Sequence, residues 1–252
     1  MKIEVLFPEI ANLYGDLENI SYLKKSCPEA ELTETHLNDE PLFVSEKPAL
    51  IYMGTMTESA QTLAIEKLAA YRDALKARID DGTLFLITGN ALEIFGMSIS
   101  DKDGTEEKCL GFFPTAAKRD MMNRFNSLYL GSFSEEKEAA ESMTIVGYKS
   151  QFTHSYAEEN AEACVYADFD TLFESKRGPG LNPEVTGEGI RKNNFMATYI
   201  IGPILVLNPP FAKYLLSRMG VAEPKLAFEA AAAEAYEVRV KEYEDPNTGF
   251  YY

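Results

Sequence analysis

Few residues in this chain could carry covalent or metal chemistry. Among 252 residues there are three cysteines, Cys27, Cys109 and Cys164, and two histidines, His36 and His154. One stretch is laid out like a site: DGTLFLITGNALEIFG, residues 81–96. Its apolar run stops at Thr88-Gly89-Asn90 and an amphipathic segment begins at once, a strand, sharp turn and helix that in several enzyme classes presents a nucleophile. Here the turn has no thiol, and its single hydroxyl, on Thr88, still belongs to the strand. The cysteines are odd in number and lack metal-ligand spacing, so neither a disulfide framework nor a zinc site is expected. Each reads as structural or incidental. His36 ends the alternating run ELTETH and reads as an exposed strand end. The acidic run DKDGTEEK, residues 101–108, lacks EF-hand spacing and reads as a solvated loop rather than a calcium site.

Positioning such a turn takes a sheet. Residues 3–7, 49–53 and 84–87 are strand-like, and between the last two Leu63, Leu68, Tyr71, Leu75 and Ile79 recur at helical spacing. Thr57 or Ser59 can cap that helix and Gly82 can end it. The crossover is therefore expected to be right-handed, in an α/β fold built on an open, mostly parallel sheet in three layers. Residues 109–173 alternate apolar and polar positions, which predicts an antiparallel meander extending the sheet. The Gly/Pro-rich connection at 177–189 is a loop near a functional site or simply a long turn. NNFMATYIIGPIL then reads as a buried strand entering a Gly-Pro turn, and NPPFAKYLLSRMG as a helix capped by Asn208 and closed by Gly220. A tail helix over 224–244 gathers Leu226, Ala230, Ala233, Tyr236 and Val240 near one face, to pack on the body or on a partner chain. The division expected is a main domain, 1–220, and a helical tail, 221–252.

Composition narrows the function. A net charge of −16 argues against nucleic acid, whose phosphates demand clustered Lys and Arg, and against anionic membranes. The longest apolar stretch, residues 195–207, is broken by Gly202-Pro203 and falls short of the roughly 20 residues a membrane helix needs. A soluble, cytoplasmic protein is expected, with no metal and no cofactor.

Three stretches carry a family resemblance: NLYGDLENI at 12–20, the elbow at 81–96, and TGEGIRKNNFMATYIIGPILVLNPPFAKYLL at 186–216. Their order and spacing resemble class I glutamine amidotransferases of the cobyric-acid-synthase (CobB/CobQ) type, most closely the amidotransferase subunits of lipid II isoglutaminyl synthases. The resemblance implies a flavodoxin-like, three-layer glutamine amidotransferase fold over residues 1–220. In the family a Cys at the elbow attacks the carboxamide of glutamine, and a His in a later Tyr-Leu-His-Gly-Pro turn is the base. Aligned on Gly96, the elbow puts Gly89 on the Cys and Glu93 on a Gln; aligned on Tyr199 and Gly202-Pro203, the turn puts Ile201 on the His. Glycine offers no nucleophile and isoleucine takes up no proton, and loss of either partner costs several powers of ten in such mechanisms.

The family's oxyanion-hole loop aligns with GTMTESAQ, residues 54–61. Gly54 and Gln61 persist there, while Thr55, Met56, Thr57 and Glu58 replace the rest; backbone donors are expected to survive such changes. GYKSQ, residues 147–151, stands where the family has Gly-Phe-Glu-Asn-His. Gly89 and Ile201 are thus vestigial catalytic positions. The cleft or ligand-binding candidates are Gly54, Thr55, Met56, Thr88, Asn90, Glu93, Gln151, His154 and Tyr199, with His154 either facing a ligand or solvated in a loop.

The function expected is an amidotransferase-like bacterial protein without glutaminase activity that binds a ligand or a partner. The resemblance implies a Mur-ligase-like partner in peptidoglycan or cofactor amidation. Two alternatives stand beside it: an enzyme acting on an amide or other small molecule through Glu58, Glu93 or His154, and a non-catalytic scaffold or homo-oligomer.

Overall fold

Runs of Leu, Ile, Val and Phe with no polar face form strands only where both faces are covered. In the computed structural model, which describes residues 1–135, 142–158 and 161–249, they lie at the centre of the molecule. The first third of the chain lays down β1 (Lys2–Leu6), α1 (Glu18–Ser26), β2 (Glu31–Thr35), the single-turn α2 (Leu42–Ser45), β3 (Leu50–Met53), α3 (Glu58–Ala69), α4 (Arg72–Asp80) and β4 (Leu84–Thr88). The middle holds β5 (Ser98–Asp101), β6 (Glu106–Lys108), β7 (Thr115–Arg119), β8 (Phe125–Phe133), β9 (Met143–Gln151), β10 (Thr153–Ala157), β11 (Phe173–Arg177) and β12 (Gly187–Glu188). The last part supplies β13 (Ile190–Lys192), β14 (Phe195–Thr198), α5 (Ile204–Leu207), α6 (Pro209–Arg218) and α7 (Glu229–Glu244).

The main sheet runs β13-β14-β4-β3-β1-β2, with every neighbouring pair parallel except the antiparallel edge pair β13–β14. Alternation sorts its side chains between two cores. Ile51, Met53, Phe85 and Ile87 pack with Leu68, Leu75 and Ile79 of α3 and α4. Leu50, Tyr52, Leu84 and Leu86 pack with Ile20 and Leu23 of α1 and Phe211 and Leu215 of α6. This is the mixed α/β, mostly parallel three-layer arrangement that the sequence predicts.

Several details differ from the sequence reading. The crossover is two helices, not one, broken at Ala70-Tyr71; Thr57 is the cap, its Oγ1 accepting from the Ala60 N–H at 3.2 Å. The elbow continues as a 3-10 turn, Gly89–Phe95, rather than a long helix. The antiparallel middle does not extend the main sheet but forms two sheets of its own, β10-β7-β5-β6 and β12-β11-β8-β9. Asn208 precedes α6 without capping it through its side chain. On α7, Tyr236 and Val240 are half-buried as expected, but Ala232 turns inward while Ala230 and Ala233 face outward. The helix lies over β8, β9, α5 and α6, and Tyr236 donates its hydroxyl to the Thr144 carbonyl at 2.8 Å. Arg177 holds its end, donating to the carbonyls of Tyr243, Asp245 and Thr248. No helix among the described residues is long and apolar enough to cross a membrane.

Asn208 has another task. Its fully buried amide accepts from Val146 N–H at 2.8 Å and donates to the carbonyls of Val146 at 2.7 Å and Ile204 at 2.8 Å, clipping β9 to the α5–α6 corner. Asn208→Ala leaves the Val146 N–H and carbonyl without their partner in the core, each at about 1–3 kcal/mol, while the Ile204 carbonyl keeps the backbone N–H of residue 208 at 3.1 Å. We expect urea denaturation to show a loss of about 3 kcal/mol.

Candidate functional site

Two parallel strands ending side by side, β3 and β4, bring the loop after Met53 against the elbow after Thr88. Beneath them is Asp16, from the opening loop. Its Oδ2 accepts from the Thr55 N–H at 2.8 Å and the Thr88 hydroxyl at 2.5 Å, and its Oδ1 from the Asn19 amide at 2.9 Å. Burial raises the Asp16 carboxyl above its ordinary range, against the pull of these donors. The Tyr52 hydroxyl donates to the Asp16 carbonyl at 2.8 Å and lies 3.2 Å from the Thr88 hydroxyl. Thr88 is therefore a buried strut under the cleft, not a group in it. Gly54 is structural in the same way: a Cβ there would meet the Ala11 carbonyl oxygen at 2.5 Å.

Gly89 keeps the backbone of a nucleophile elbow, with φ +61°, a region L side chains enter only at a cost. There is no room there for a side chain. A Cβ on Gly89 would lie 2.4 Å from the Thr55 Cβ and 2.5 Å from its Oγ1. Thr55 is fixed there, its hydroxyl donating to Asn90 Oδ1 at 3.1 Å. The same Oδ1 accepts from the Met56 N–H at 3.0 Å, and the Asn90 amide donates to the Met56 carbonyl at 2.9 Å. This corrects the expectation that backbone donors survive in this loop: the Thr55 N–H is spent on Asp16 and the Met56 N–H on Asn90. A preorganised oxyanion hole needs donors free to meet developing charge.

Ile201 is buried, its backbone bridged to Tyr148 by two hydrogen bonds of 3.0 and 3.3 Å. Nearby a wholly buried ion pair, Lys149 Nζ to Glu188 Oε1 at 3.3 Å, anchors the approach to this turn. Glu188 accepts from the Tyr199 N–H at 2.9 Å and the Thr198 hydroxyl at 2.7 Å, and Lys149 donates to the Gly180 carbonyl at 2.6 Å. The Gly/Pro-rich loop thus closes over a buried charge. Burial lowers the Lys149 ammonium, with Glu188 opposing.

A cleft of about 390 Å³ opens above the elbow. Thr55, Met56, Gly89, Asn90, Glu93, Gln151, Tyr199 and Ile201 all line it. His154 does not; it lies in a neighbouring groove, its Nδ1 facing the Gln151 amide at 3.2 Å. Sequence reasoning overlooked Tyr14, Arg124 and Phe152 as walls. Tyr14 sits inside the recognised opening stretch, so its neighbours in sequence were the signal; nothing in the sequence marks Arg124. Thr57 and Glu58 complete the rim.

Glu93 is the one strongly perturbed carboxyl in the cleft wall, pushed up to about 7 by burial. It accepts from the Gln61 amide at 2.9 Å and the Tyr199 hydroxyl at 3.2 Å, while Gln61 Oε1 accepts from Arg119 at 2.7 Å. The cysteines offer no substitute nucleophile: none lines the cleft, and burial raises all three thiols, with Cys109 far up. His36 is an exposed residue just past β2, 3.0 Å from Glu9. Among the described residues no cluster of His, Cys, Asp or Glu could hold a metal ion.

Because Glu93 holds its proton more tightly folded than unfolded, its contribution to stability is complete below about pH 4.5 and lost as pH rises through about 7. That is worth about 3 kcal/mol at most. Glu93→Gln can accept from Gln61 and donate to the Tyr199 oxygen, keeping the geometry without the proton. Its stability, from urea melts between those pH values, is expected to fall less steeply with pH than that of the parent chain.

No protein-family model matches the chain. Along its length it is similar to the glutamine-hydrolysing lipid II isoglutaminyl synthase subunit GatD of Staphylococcus aureus strain N315, 28% identical over 238 residues, 91% of this chain and 90% of that one. The GatD subunit of Streptococcus pneumoniae R6 is 23% identical over 220 residues, 86% of this chain and 79% of the relative. In structure it matches PurLQS from Thermotoga maritima with a TM-score of 0.54 at 11% identity, over 87% of this chain and 95% of that chain. The chain is homologous to the GatD subunits and shares its α/β fold with the Thermotoga protein.

Proposed function

We propose that this chain is an amidotransferase-like subunit that has lost glutaminase chemistry and works by binding, holding a small polar ligand in the elbow cleft and joining a partner protein. The observation that carries the reading is Thr55 in the space a side chain at Gly89 would need. It is supported by Ile201 at the base position and by the loop N–H groups already bonded to Asp16 and Asn90. Three separate requirements of amide cleavage, nucleophile, base and oxyanion donors, are unmet at one place. The walls still suit a small polar molecule: Tyr14, Thr57, Asn90, Gln151 and Arg124 surround the volume. The partner we propose is a Mur-ligase-like protein acting in cell-wall or cofactor amidation, by analogy with the relatives.

A second reading rests on Glu93. A carboxyl poised near neutrality in a cleft wall is a candidate acid–base group. Against it, both carboxyl oxygens are already engaged by Gln61 and Tyr199.

Purified protein is expected to release no ammonia from glutamine above the uncatalysed rate; turnover abolished by substituting an elbow residue would sink the main reading. Affinity capture from the native cell at endogenous level is expected to recover a Mur-ligase-like protein. Gly89→Cys is expected to cost about 2–4 kcal/mol, from positive φ and overlap with Thr55. Adding Thr55→Gly should relieve the overlap, giving a coupling of about 1–3 kcal/mol in a double-mutant cycle, and the double variant should still not hydrolyse glutamine.

A further inference from the structure

Phe152 and Arg124 separate the cleft from a second depression of about 520 Å³, floored by β5, β7 and β10. Strand register sets Ser100, Lys118 and His154 side by side across that sheet. The two-residue repeat of β10 places His154 and Tyr156 on the same face, and Phe152, at the bend before it, lines the groove beside them. In a chain of net charge −16 this groove reverses the sign.

Asp101 and Asp120 also line it and pair with Arg119 and Lys102, but two of its cations, Lys118 and Arg124, have no counterion among the described residues. None of the ion pairs among the described residues involves Lys118 or Arg124. The Lys118 ammonium lies 4.8 Å from the Tyr156 ring, and Arg124 stacks 4.5 Å from Phe152 and donates only to the Tyr14 hydroxyl. Arg119, 8% exposed, is already held, donating to Gln61 Oε1 at 2.7 Å and ion-paired to Asp101 at 3.4 Å, with only its Nε lacking a hydrogen-bond partner among the described residues. Lys102 is paired to Asp120 at 2.6 Å. Cations without a counterion are where a bound anion gains most. His154 adds a donor: with Nδ1 accepting from the Gln151 amide, its proton sits on Nε2.

We propose that this groove binds a small phosphate-bearing ligand, its anion compensating Lys118 and Arg124 and its remainder lying along Phe125 and Tyr156. Two cations drawn from two strand regions suit a dianion better than a single carboxylate, and a guanidinium fork matches phosphate oxygens. A long polyanion is repelled by the rest of the surface, whereas a small dianion feels charge only within a Debye length of about 8–10 Å.

The test is titration calorimetry on the full chain with AMP, inorganic phosphate, adenosine and an Asp/Glu-rich peptide. AMP and phosphate are expected to bind and adenosine not to, with affinity falling as salt is raised to about 0.15 M. Lys118→Ala is expected to weaken AMP by about tenfold or more, the loss of one charge-assisted contact. Lys241→Ala, the same charge change on α7, should leave it intact, with circular dichroism confirming both folds. Lys118 lines this groove and not the cleft, so binding at the elbow would be indifferent to it. Absence of phosphate and AMP binding at millimolar concentration, equal losses in the two lysine variants, or preference for adenosine or the acidic peptide would overturn the assignment.

Discussion

A carboxyl buried without a cation beside it is an expensive thing to fold around, and the functional end of this sheet is folded around Asp16. Desolvation raises its proton affinity, and the structure answers with donors rather than with charge: the Thr55 N–H, the Thr88 hydroxyl and the Asn19 amide. Each belongs to a different segment, the loop after β3, the end of β4 and the start of α1. Asn19 also accepts from the Leu205 N–H at 2.9 Å, drawing in the corner that follows β14. Four parts of the chain that meet at the cleft are thus referenced to one side chain, and none of these bonds involves the position from which a nucleophile would act. The scaffold is therefore independent of whatever chemistry the cleft holds.

Much of this was legible because burial writes itself plainly into sequence. The runs at 50–53, 84–88 and 195–198 have no polar face, and only a covered parallel sheet accommodates them. The Ala70-Tyr71 break was not legible, since neither residue forbids a helix. The split of the middle into two sheets was hidden for a different reason: alternation reports that a strand has two faces but not which strand pairs with it. At the site, residues of the recognised loops reached the cleft, whereas Arg124 comes from a hairpin with no motif. His154 was placed near the cleft by proximity to Gln151. The chain bends at Phe152, so Gln151 at the end of β9 lines the cleft while His154 on β10, in contact with the Gln151 amide, lines the neighbouring groove.

The same geometry explains why the cleft wall is polar inside as well as out. Glu93, Gln61 and Arg119 form one buried chain from the elbow to the groove behind it. Lys149 and Glu188 form another behind Ile201. Paired buried charges contribute little net stability but punish the loss of one member, so they favour a single arrangement of the loops they join. Both run beneath turns, where apolar packing alone leaves most freedom.

Thr55 beside Gly89 has a consequence for redesign. A thiol introduced at residue 89 would meet the Thr55 side chain, and the loop N–H groups beside it are already held by Asp16 and Asn90. These contacts are interlocked, so on the proposed reading no single substitution would install amide cleavage in this cleft: residue 89, Thr55 and the loop donors would have to change together.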